Sequence, residues 1–196
     1  NMLTNKVVMS EEEKNKELFE LINKDAQSWL AQAKQHKMSA DVILSKLEDA
    51  LKNIPTSQEG TQEKMLAFVH SYMLLIGIAF ENLIKGILIG RDPTLVKDQK
   101  NRSGILERGG HGITKKASKI ISTSSNESNL LQRIEEYLFW AGRYPLPIKF
   151  GTYNNSEEKK LRIYCNNDPK LIDALFDKLT HILEQEWTVR EHQYPQ

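Results

Sequence analysis

Apolar side chains recur at helical spacing through one long stretch in the middle of the chain, from Met65 to Gly90. Steps of three and four residues separate the members of one face, which is the repeat of an α-helix. These members are Leu66, Val69, Met73, Ile76, Phe80, Leu83 and Ile87. Because further leucines and isoleucines occupy much of the remaining circumference, the pattern predicts a long central helix that is buried on more than one side.

Amphipathic patterns before and after this stretch predict the helices that surround it. The first runs from Ser10 to about His36, and a second begins at Ser39 and ends at Pro55. A further helix begins at Asn126 or Ser128, and the last one opens at Asn167-Asp168-Pro169. Each predicted start carries a residue type that caps helix N-termini.

Two prolines, Pro145 and Pro147, interrupt the helical pattern late in the chain. After them, Ile148–Phe150 and Leu161–Cys165 alternate between apolar and polar residues, which is the repeat of a strand. The pattern predicts a short β-hairpin near residues 148–165. The sequence as a whole predicts an all-α fold, an antiparallel helical bundle around the central helix, in a single domain spanning residues 1–196.

Composition narrows the possible partners. The 196 residues carry a formal net charge of +1, which excludes a strongly basic nucleic-acid-binding protein but not a local basic patch. Such a patch lies between Lys97 and Lys119, where seven lysines or arginines accompany two acids. A short helix from about Ile113 to Ile121 is predicted within it. Cys165 is the only cysteine, so no internal disulfide can form, which fits a reducing cytoplasm.

One stretch, Phe68–Gly90, is long enough to span a membrane. Glu81 and Lys85 near its centre would each cost roughly 2.5–3.5 kcal/mol on membrane insertion. The prediction is therefore a buried core helix, no membrane contact and a cytoplasmic protein. The histidines are scattered and form no cluster with the cysteine, so neither a metal site nor a cofactor is expected.

Polar residues on the central helix are the first candidates for a binding site. Glu81 and Lys85 are four residues apart, in the favourable order for an ion pair on one helix face. Either this pair satisfies itself, or Glu81, Asn82 and Lys85 line a pocket and bind a ligand. His70 precedes Glu81 by eleven residues, about 16 Å along a helix, and is interpreted as a hydrogen-bonded core or interface histidine.

The second candidate surrounds His111 in the basic segment. Glycines on both sides of this histidine leave backbone amides free to point at an anion, and a predicted helix follows directly. Arg108, Lys115 and Lys116 would supply positive charge for a phosphate. The alternative is a loop whose histidine packs over the next helix. Neither of the two common nucleotide-binding glycine patterns occurs in the chain.

Arg143 is the third candidate, between Trp140 and Tyr144 and beside the prolines. A guanidinium flanked by aromatic rings stacks on them, pairs with a buried carboxylate such as Glu81, or binds a phosphate. The sequence leaves these three roles open.

Three sequence segments resemble uncharacterised bacterial proteins of the HEPN (higher eukaryote and prokaryote nucleotide-binding) family. They are AFENLIKGILIG, GHGITKKASKI and YLFWAGRYPLP, and the similarity covers roughly Phe68 to Pro147. The resemblance implies an antiparallel helical bundle, often a homodimer, associated with toxin–antitoxin, antiphage and other RNA-cleaving systems. Ribonucleases of this family use an arginine, four to six residues and then a histidine. Here Arg108 precedes His111 with two residues between them, and Arg102 with eight, so neither spacing fits.

The expected function follows from the basic segment and the resemblance. The chain is expected to be a HEPN-like helical protein that binds a nucleotide or RNA through residues 97–119 and Arg143, in a defence or toxin–antitoxin system. One alternative is a metal-independent endoribonuclease that uses His111 and an arginine such as Arg143. Another is a non-catalytic helical protein-interaction module. Under the first two, His111, Arg143 and Glu81 should converge in one cleft.

Overall fold

The computed structural model describes residues 9–52, 60–96, 112–162 and 164–193, with side chains described at all of them except 61 and 188–193. Within these residues the chain is helical and contains no strand, which confirms the prediction of an all-α fold. A 3₁₀ turn follows α3 at Pro93–Leu95, and a π-helical turn continues α5 at Tyr137–Ala141. The helices are α1 Glu11–Lys24, α2 Ala26–Lys52, α3 Thr61–Arg91, α4 Ile113–Ala117, α5 Ser125–Glu136, α6 Phe150–Glu158 and α7 Asp168–Gln193.

The central helix of the fold is α3, as the apolar pattern predicts. It contacts α2, α4, α5 and α7. Most members of its predicted apolar face are buried, namely Met73, Ile76, Phe80, Leu83 and Ile87. Leu66, at the beginning of the same face, is 50% exposed. The first turns of α3 therefore lie at the edge of the core.

Two glycines near the end of α3 allow it to pack closely against α2. A Cβ added at Gly86 would lie 2.9 Å from the Cβ of Trp29, and one added at Gly90 would lie 3.3 Å from the Cβ of Ala26. The end of α3 therefore meets the start of α2, and the two helices are antiparallel. Because a side chain at Gly86 would overlap Trp29, the helices approach closely only with glycine there.

The other neighbours of α3 are α5 and α7. A Cβ at Gly77 would lie 2.9 Å from the Cβ of Leu138, which follows α5. The ring of Phe80 meets that of Phe176 on α7 edge to face, with 5.7 Å between their centroids. These contacts bury α3 on more than one side, as its nearly all-round apolar sequence predicts.

The length and composition of Gln62–Arg91 would suffice to cross a membrane. In the part of the chain that the structure describes, 61% of its most apolar eighteen-residue window is buried. Its apolar side chains are thus largely occupied by contacts with neighbouring helices, which is the packing of a core helix.

The predicted boundary between the first two helices is wrong. The helix breaks at Asp25 and not at Ser39. The carboxylate of Asp25 accepts hydrogen bonds from the backbone N–H groups of Gln27 and Ser28 at 3.1 and 2.9 Å, so it caps α2. Ser39 lies inside α2, where its hydroxyl donates to the carbonyl of Gln35 at 3.0 Å. Serine is a common N-cap residue, so a serine within a continuous helix led to the wrong prediction of a helix start.

The start predicted for α5 is also displaced. Ser124 caps this helix and forms a capping box with Glu127, so the predicted cap at Asn126 or Ser128 is wrong. The sequence offers three serines and an asparagine within five residues, and the glutamate at the third helical position selects among them.

The possible hairpin near residues 148–165 is replaced by α6. Ile148 and Phe150, whose apolar character suggested a strand, are 103% and 79% exposed, so they make no sheet face. The polar residues between the two expected strands form the helix instead, although only Glu157 and Glu158 among them are good helix formers. Alternation over three to five residues is too short to distinguish a strand from a helix end.

An ion pair with little exposure to water links α5 to the start of α7. The guanidinium of Arg133 donates from both Nη atoms to the carboxylate of Asp168, at 2.5 and 2.7 Å. The same carboxylate accepts the backbone N–H of Cys165 at 2.8 Å. Asp168 therefore provides a hydrogen-bond acceptor for the backbone just before α7, although its side chain is only 3% exposed.

Candidate functional site

Two of the polar residues predicted on the central helix form an ion pair. The Nζ of Lys85 lies 2.6 Å from Oε1 of Glu81, and both side chains are almost buried. Lys85 also lies 5.9 Å from the ring centroid of Trp29, a cation–π contact. Asn82, next to Glu81, is partly buried. The structure thus contains the ion pair that the four-residue spacing predicts.

The two lysines of α4 differ in their exposure. Lys115 is exposed, whereas Lys116 is buried beside Glu81 and Lys85. Burial lowers the pKa of Lys116, and the nearby Lys85 ammonium lowers it further, against the opposing effect of Glu81. The structure therefore brings Glu81, Lys85 and Lys116 together. Arg108 and His111 lie outside the described residues, so their predicted roles and the predicted cleft around His111 stay predictions.

Arg143 has local hydrogen-bond partners. Its Nη2 donates to the backbone carbonyls of Leu138 and Phe139, at 2.6 and 2.9 Å, and its guanidinium lies 5.7 Å from the ring centroid of Tyr144. These bonds satisfy carbonyls at the end of a helix, which is a structural role. The stacking on Tyr144 is one of the three contacts that the sequence allowed.

Arg143 and Glu81 lie at different levels of α3. A Cβ added at Gly142, the residue before Arg143, would lie 2.9 Å from the Cβ of Leu74. Glu81 is seven residues beyond Leu74, about 10 Å along the helix axis. Glu81 is paired with Lys85, and Arg143 bonds to the π turn. We find no contact between the two among the described residues.

A groove with a different set of residues lies between the start of α3, the π turn and α6. Its volume is about 360 Å³, within the range of roughly 300–1,000 Å³ found for small-molecule sites. We call it the α6 groove. The polar and aromatic residues that line it are His70, Trp140, Tyr144, Ser156, Glu157, Lys160 and Arg162.

The π turn and a tyrosine hold the two walls of the α6 groove together. The helix is wider at the π turn, because the N–H of Gly142 donates to the carbonyl of Tyr137, five residues earlier, at 3.0 Å. The hydroxyl of Tyr137 donates to the carbonyl of Arg162 at 2.8 Å, so the chain after α6 is tied to α5. The backbone of Lys160 ends α6 with φ of 52°, in the left-handed region.

Arg162 is the main cation of the α6 groove. Its guanidinium carbon lies 5.4 Å from the ring centroid of Trp140 and 5.3 Å from that of Tyr153, so aromatic rings flank it. Its Nη2 pairs with Glu157. The hydrogen bond to Glu157 raises the pKa of Arg162, which therefore stays charged.

Two buried donors in this groove have no acceptor. The Oγ of Ser156 and the Nε of Arg162 are inaccessible to water and have no hydrogen-bond partner among the described residues. Ser156 as a whole is only 1% exposed. Buried polar groups are almost always satisfied, so such groups call for an explanation. Both residues line the α6 groove, although these two atoms do not reach its surface, and we take this groove as the candidate functional site.

His70 lies on the rim of the groove, with its ring edge to face against Tyr137 at 5.5 Å between centroids. The residue is exposed along the groove, while packing removes water from part of the ring. Burial, and then the nearby Arg162 guanidinium, lower the pKa of His70 from its ordinary value of 6.5. The imidazole is therefore neutral at pH 7.

We expect an imidazole titration by NMR to give His70 a pKa below 6.5 in the folded protein. The folded state then binds this proton less readily than the unfolded state. The contribution of His70 to the free energy of unfolding is complete above about pH 6.5 and falls as the pH is lowered through the folded pKa. His70→Gln should remove that part of the pH dependence. A measured pKa at or above 6.5 contradicts the expectation.

Sequence reasoning missed most of this groove. His70 was interpreted as a core or interface histidine, and Ser156, Lys160 and Arg162 fall in the expected hairpin. The signal that was present is the run from Trp140 to Tyr144, with two aromatic residues near the end of a helix. Helical spacing alone cannot bring His70 and Arg162 together, because they are 92 positions apart in the sequence.

Among the described residues, no three His, Cys, Asp or Glu side chains are grouped so that they could hold a metal ion. Comparison of the chain with protein-family models, with curated proteins and with solved structures finds no match.

Proposed function

We propose that this chain is a HEPN-like helical protein that binds single-stranded RNA or a nucleotide, and that the α6 groove is its binding site. The observation that carries the proposal is the placement of an aromatic-flanked arginine beside a second cation and an exposed tyrosine. Arg162 and Lys160 offer positive charge for the phosphate backbone, and Tyr144 offers a ring on which a base can stack. Proteins bind single strands by this combination of cations and aromatic rings.

The basic segment remains part of this proposal as a second contact. Lys115, exposed on α4, would extend the positive surface beyond the groove. Residues 97–111 lie outside the described residues, and their part in binding stays a prediction. The groove and α4 lie near His70 and Glu81, which are eleven residues apart on α3, or about 16 Å. An RNA of several nucleotides is long enough to contact both.

Lys160→Gly is a direct test, because it removes the cation without straining the backbone. Glycine accepts the left-handed conformation of Lys160, so the unfolding midpoint should be unchanged or higher. Binding of a fluorescent oligouridylate, followed by anisotropy over a range of salt concentrations, should weaken. The slope of log affinity against log salt should fall by about one phosphate contact.

Two further variants make this test specific. Lys24→Met removes an exposed lysine from the end of α1 and should leave the salt slope unchanged. Tyr144→Ala removes a 57% exposed ring and should weaken binding by about 1–3 kcal/mol if a base stacks on it. Equal affinities for wild type, Lys160→Gly and Tyr144→Ala would exclude the α6 groove as the RNA site.

A second candidate function is metal-independent RNA cleavage in the same groove. The observation that favours it is a neutral imidazole, His70, in one groove with the charged Arg162. Such cleavage needs a base for the 2′-hydroxyl proton and a cation for the charge that develops on the phosphate. Incubation of the oligonucleotide with excess chelator, followed by a denaturing gel, distinguishes cleavage from binding alone.

The proposal also includes a cytoplasmic homodimer, as the family resemblance implies. Helix α1 has no buried residue, and it exposes Leu18, Phe19, Leu21 and Ile22. These side chains would be available to a second copy. Light scattering over a concentration series tests this part independently of RNA binding, since a monomer at high concentration removes the dimer alone.

A further inference from the structure

Helix α1 carries an exposed apolar stripe and an excess of acidic residues. Its four large apolar side chains are between 41% and 67% exposed, and their spacing places them on one side of the helix: Leu18, Phe19, Leu21 and Ile22. No residue of α1 is buried, although a helix of 14 residues is marginal in water without tertiary packing. The helix contains five glutamates and three lysines, a net charge of −2. A surface that covers this helix should therefore be apolar and basic.

The segment between the π turn and the end of α6 has both of these properties. Four large apolar side chains within seven positions are at least 57% exposed, namely Tyr144, Leu146, Ile148 and Phe150. We call residues 144–150 the proline corner. Residues 143–162 contain five lysines or arginines and two glutamates, a net charge of +3. Exposed apolar surface of this extent marks an interaction site, and its surroundings are basic.

We propose that α1 of one copy binds the proline corner and α6 of a second copy, and that the same contact forms twice in a two-fold dimer. The inference rests on the homodimer in the proposed function, because it names the two surfaces that meet. Apolar side chains meet apolar side chains in this contact, and an acidic helix meets a basic surface. Lys149 and Lys159 cap the two ends of α6, which has nine residues and is about 14 Å long. Helix α1, about 21 Å long, can reach both lysines.

The two surfaces belong to opposite ends of α3, which suits a two-fold dimer. Helix α1 leads directly into α2, and the start of α2 packs on Gly86 of α3. The proline corner lies towards the other end, because Tyr144 and Pro145 line the same groove as His70. His70 and Gly86 are sixteen residues apart, about 24 Å along the helix. Two copies side by side, with their α3 helices antiparallel, bring the end that carries α1 to the end that carries the proline corner, twice in one dimer.

The charges favour a second copy over a lipid surface as the occupant. An anionic membrane would attract the basic residues around the proline corner, but it would repel α1 and leave the apolar stripe of that helix exposed. A second copy covers both apolar surfaces at once. The complementary charges of α1 and of residues 143–162 also fix which surface meets which.

An exchange of charges between two variants tests this pairing. The first variant combines Glu17→Lys with Glu20→Lys on α1, and the second combines Lys149→Glu with Lys159→Glu. Each variant alone places like charges in both contacts of its dimer, so its dissociation constant in sedimentation velocity should rise by about tenfold or more. An equimolar mixture should dimerise again, because the reversed α1 meets the reversed surface and the unchanged α1 meets the unchanged surface. A mixture that is no more dimeric than its components contradicts the pairing.

Ile148→Ser combined with Phe150→Ser tests the apolar part of the contact. These side chains are 103% and 79% exposed, so the unfolding midpoint should stay the same while the dimer weakens by about tenfold or more. Met38→Ser combined with Val42→Ser is the matched control, because these side chains of α2 are 68% and 64% exposed and belong to neither surface. An equal loss of dimer in the control overturns the assignment to the proline corner.

The outcomes separate this inference from the proposed function. If wild type is a dimer that none of these variants weakens, the homodimer stands and the contact is wrong. If wild type stays monomeric at high concentration, the homodimer and the contact fail together, while RNA binding in the α6 groove stands. If wild type floats with vesicles of phosphatidylglycerol and phosphatidylcholine, and Ile148→Ser with Phe150→Ser does not, the proline corner binds lipid, which overturns a second copy as its occupant.

Discussion

Arg133→Met is expected to lower the free energy of unfolding by about 3–5 kcal/mol, because it leaves a buried carboxylate without its cation. The side chain of Asp168 is 3% exposed, and two hydrogen bonds from Arg133 satisfy it. Methionine keeps much of the volume of the arginine stem, so the loss comes mainly from the unpaired charge. Urea or guanidinium denaturation followed by circular dichroism measures it.

The surface pair between Lys178 and Glu127 serves as the control for this prediction. It also joins α5 and α7, but its lysine is 43% exposed. Lys178→Met should therefore cost less than about 1 kcal/mol. Adding Asp168→Asn to Arg133→Met should recover part of the loss, since asparagine removes the charge and can still accept the N–H of Cys165. Equal costs for Arg133→Met and Lys178→Met would mean that the buried pair contributes no more than an exposed one.

Gly142→Ala is expected to destabilise the protein by about 1–3 kcal/mol and to weaken the RNA binding that we propose for the α6 groove. An added Cβ would lie 2.8 Å from the carbonyl oxygen of Tyr137 and 2.9 Å from the Cβ of Leu74. Neither atom is the end of a flexible side chain, so the backbone of the π turn has to move away from α3. Because Trp140 and Tyr144 lie on both sides of this position, the groove should change shape as well.

Gly151→Ala is the matched substitution for Gly142→Ala. An added Cβ at Gly151 meets nothing within 4 Å, and the residue lies within α6. Alanine there should be neutral or should stabilise by about 0.4–1 kcal/mol. Thermal unfolding of both variants, together with oligouridylate anisotropy, checks the pair. An unfolding midpoint for Gly142→Ala as high as that of Gly151→Ala would show that the π turn accommodates the methyl group freely.

The central helix was predictable because most residues from Met73 to Ile89 are apolar or small. Such a sequence has no other way to hide its apolar surface than to lie among other helices. Local capping was harder to predict. Ser39 and Asp25 are both residue types that cap helices, and only the hydrogen bonds of Asp25 to the next turn decide which one ends a helix.

Polar clusters were predictable only where their residues share a helix. The pair of Glu81 and Lys85 follows from a spacing of four. The α6 groove depends on residues from three separate segments, and on α6, which the alternating apolar pattern concealed. Nor does the sequence distinguish a π turn from an ordinary end of α5, because the apolar run from Tyr137 to Ala141 suits both.

The π turn has a consequence for how relatives of this chain should be aligned. A π turn is a one-residue insertion into an α-helix, and each inserted residue rotates the later part of the helix by about 100°. Without it, the position of Trp140 would face away from Arg162, although the surrounding sequence could be identical. A gap placed within 137–141 is therefore the feature that distinguishes homologues that retain the aromatic wall from those that have lost it.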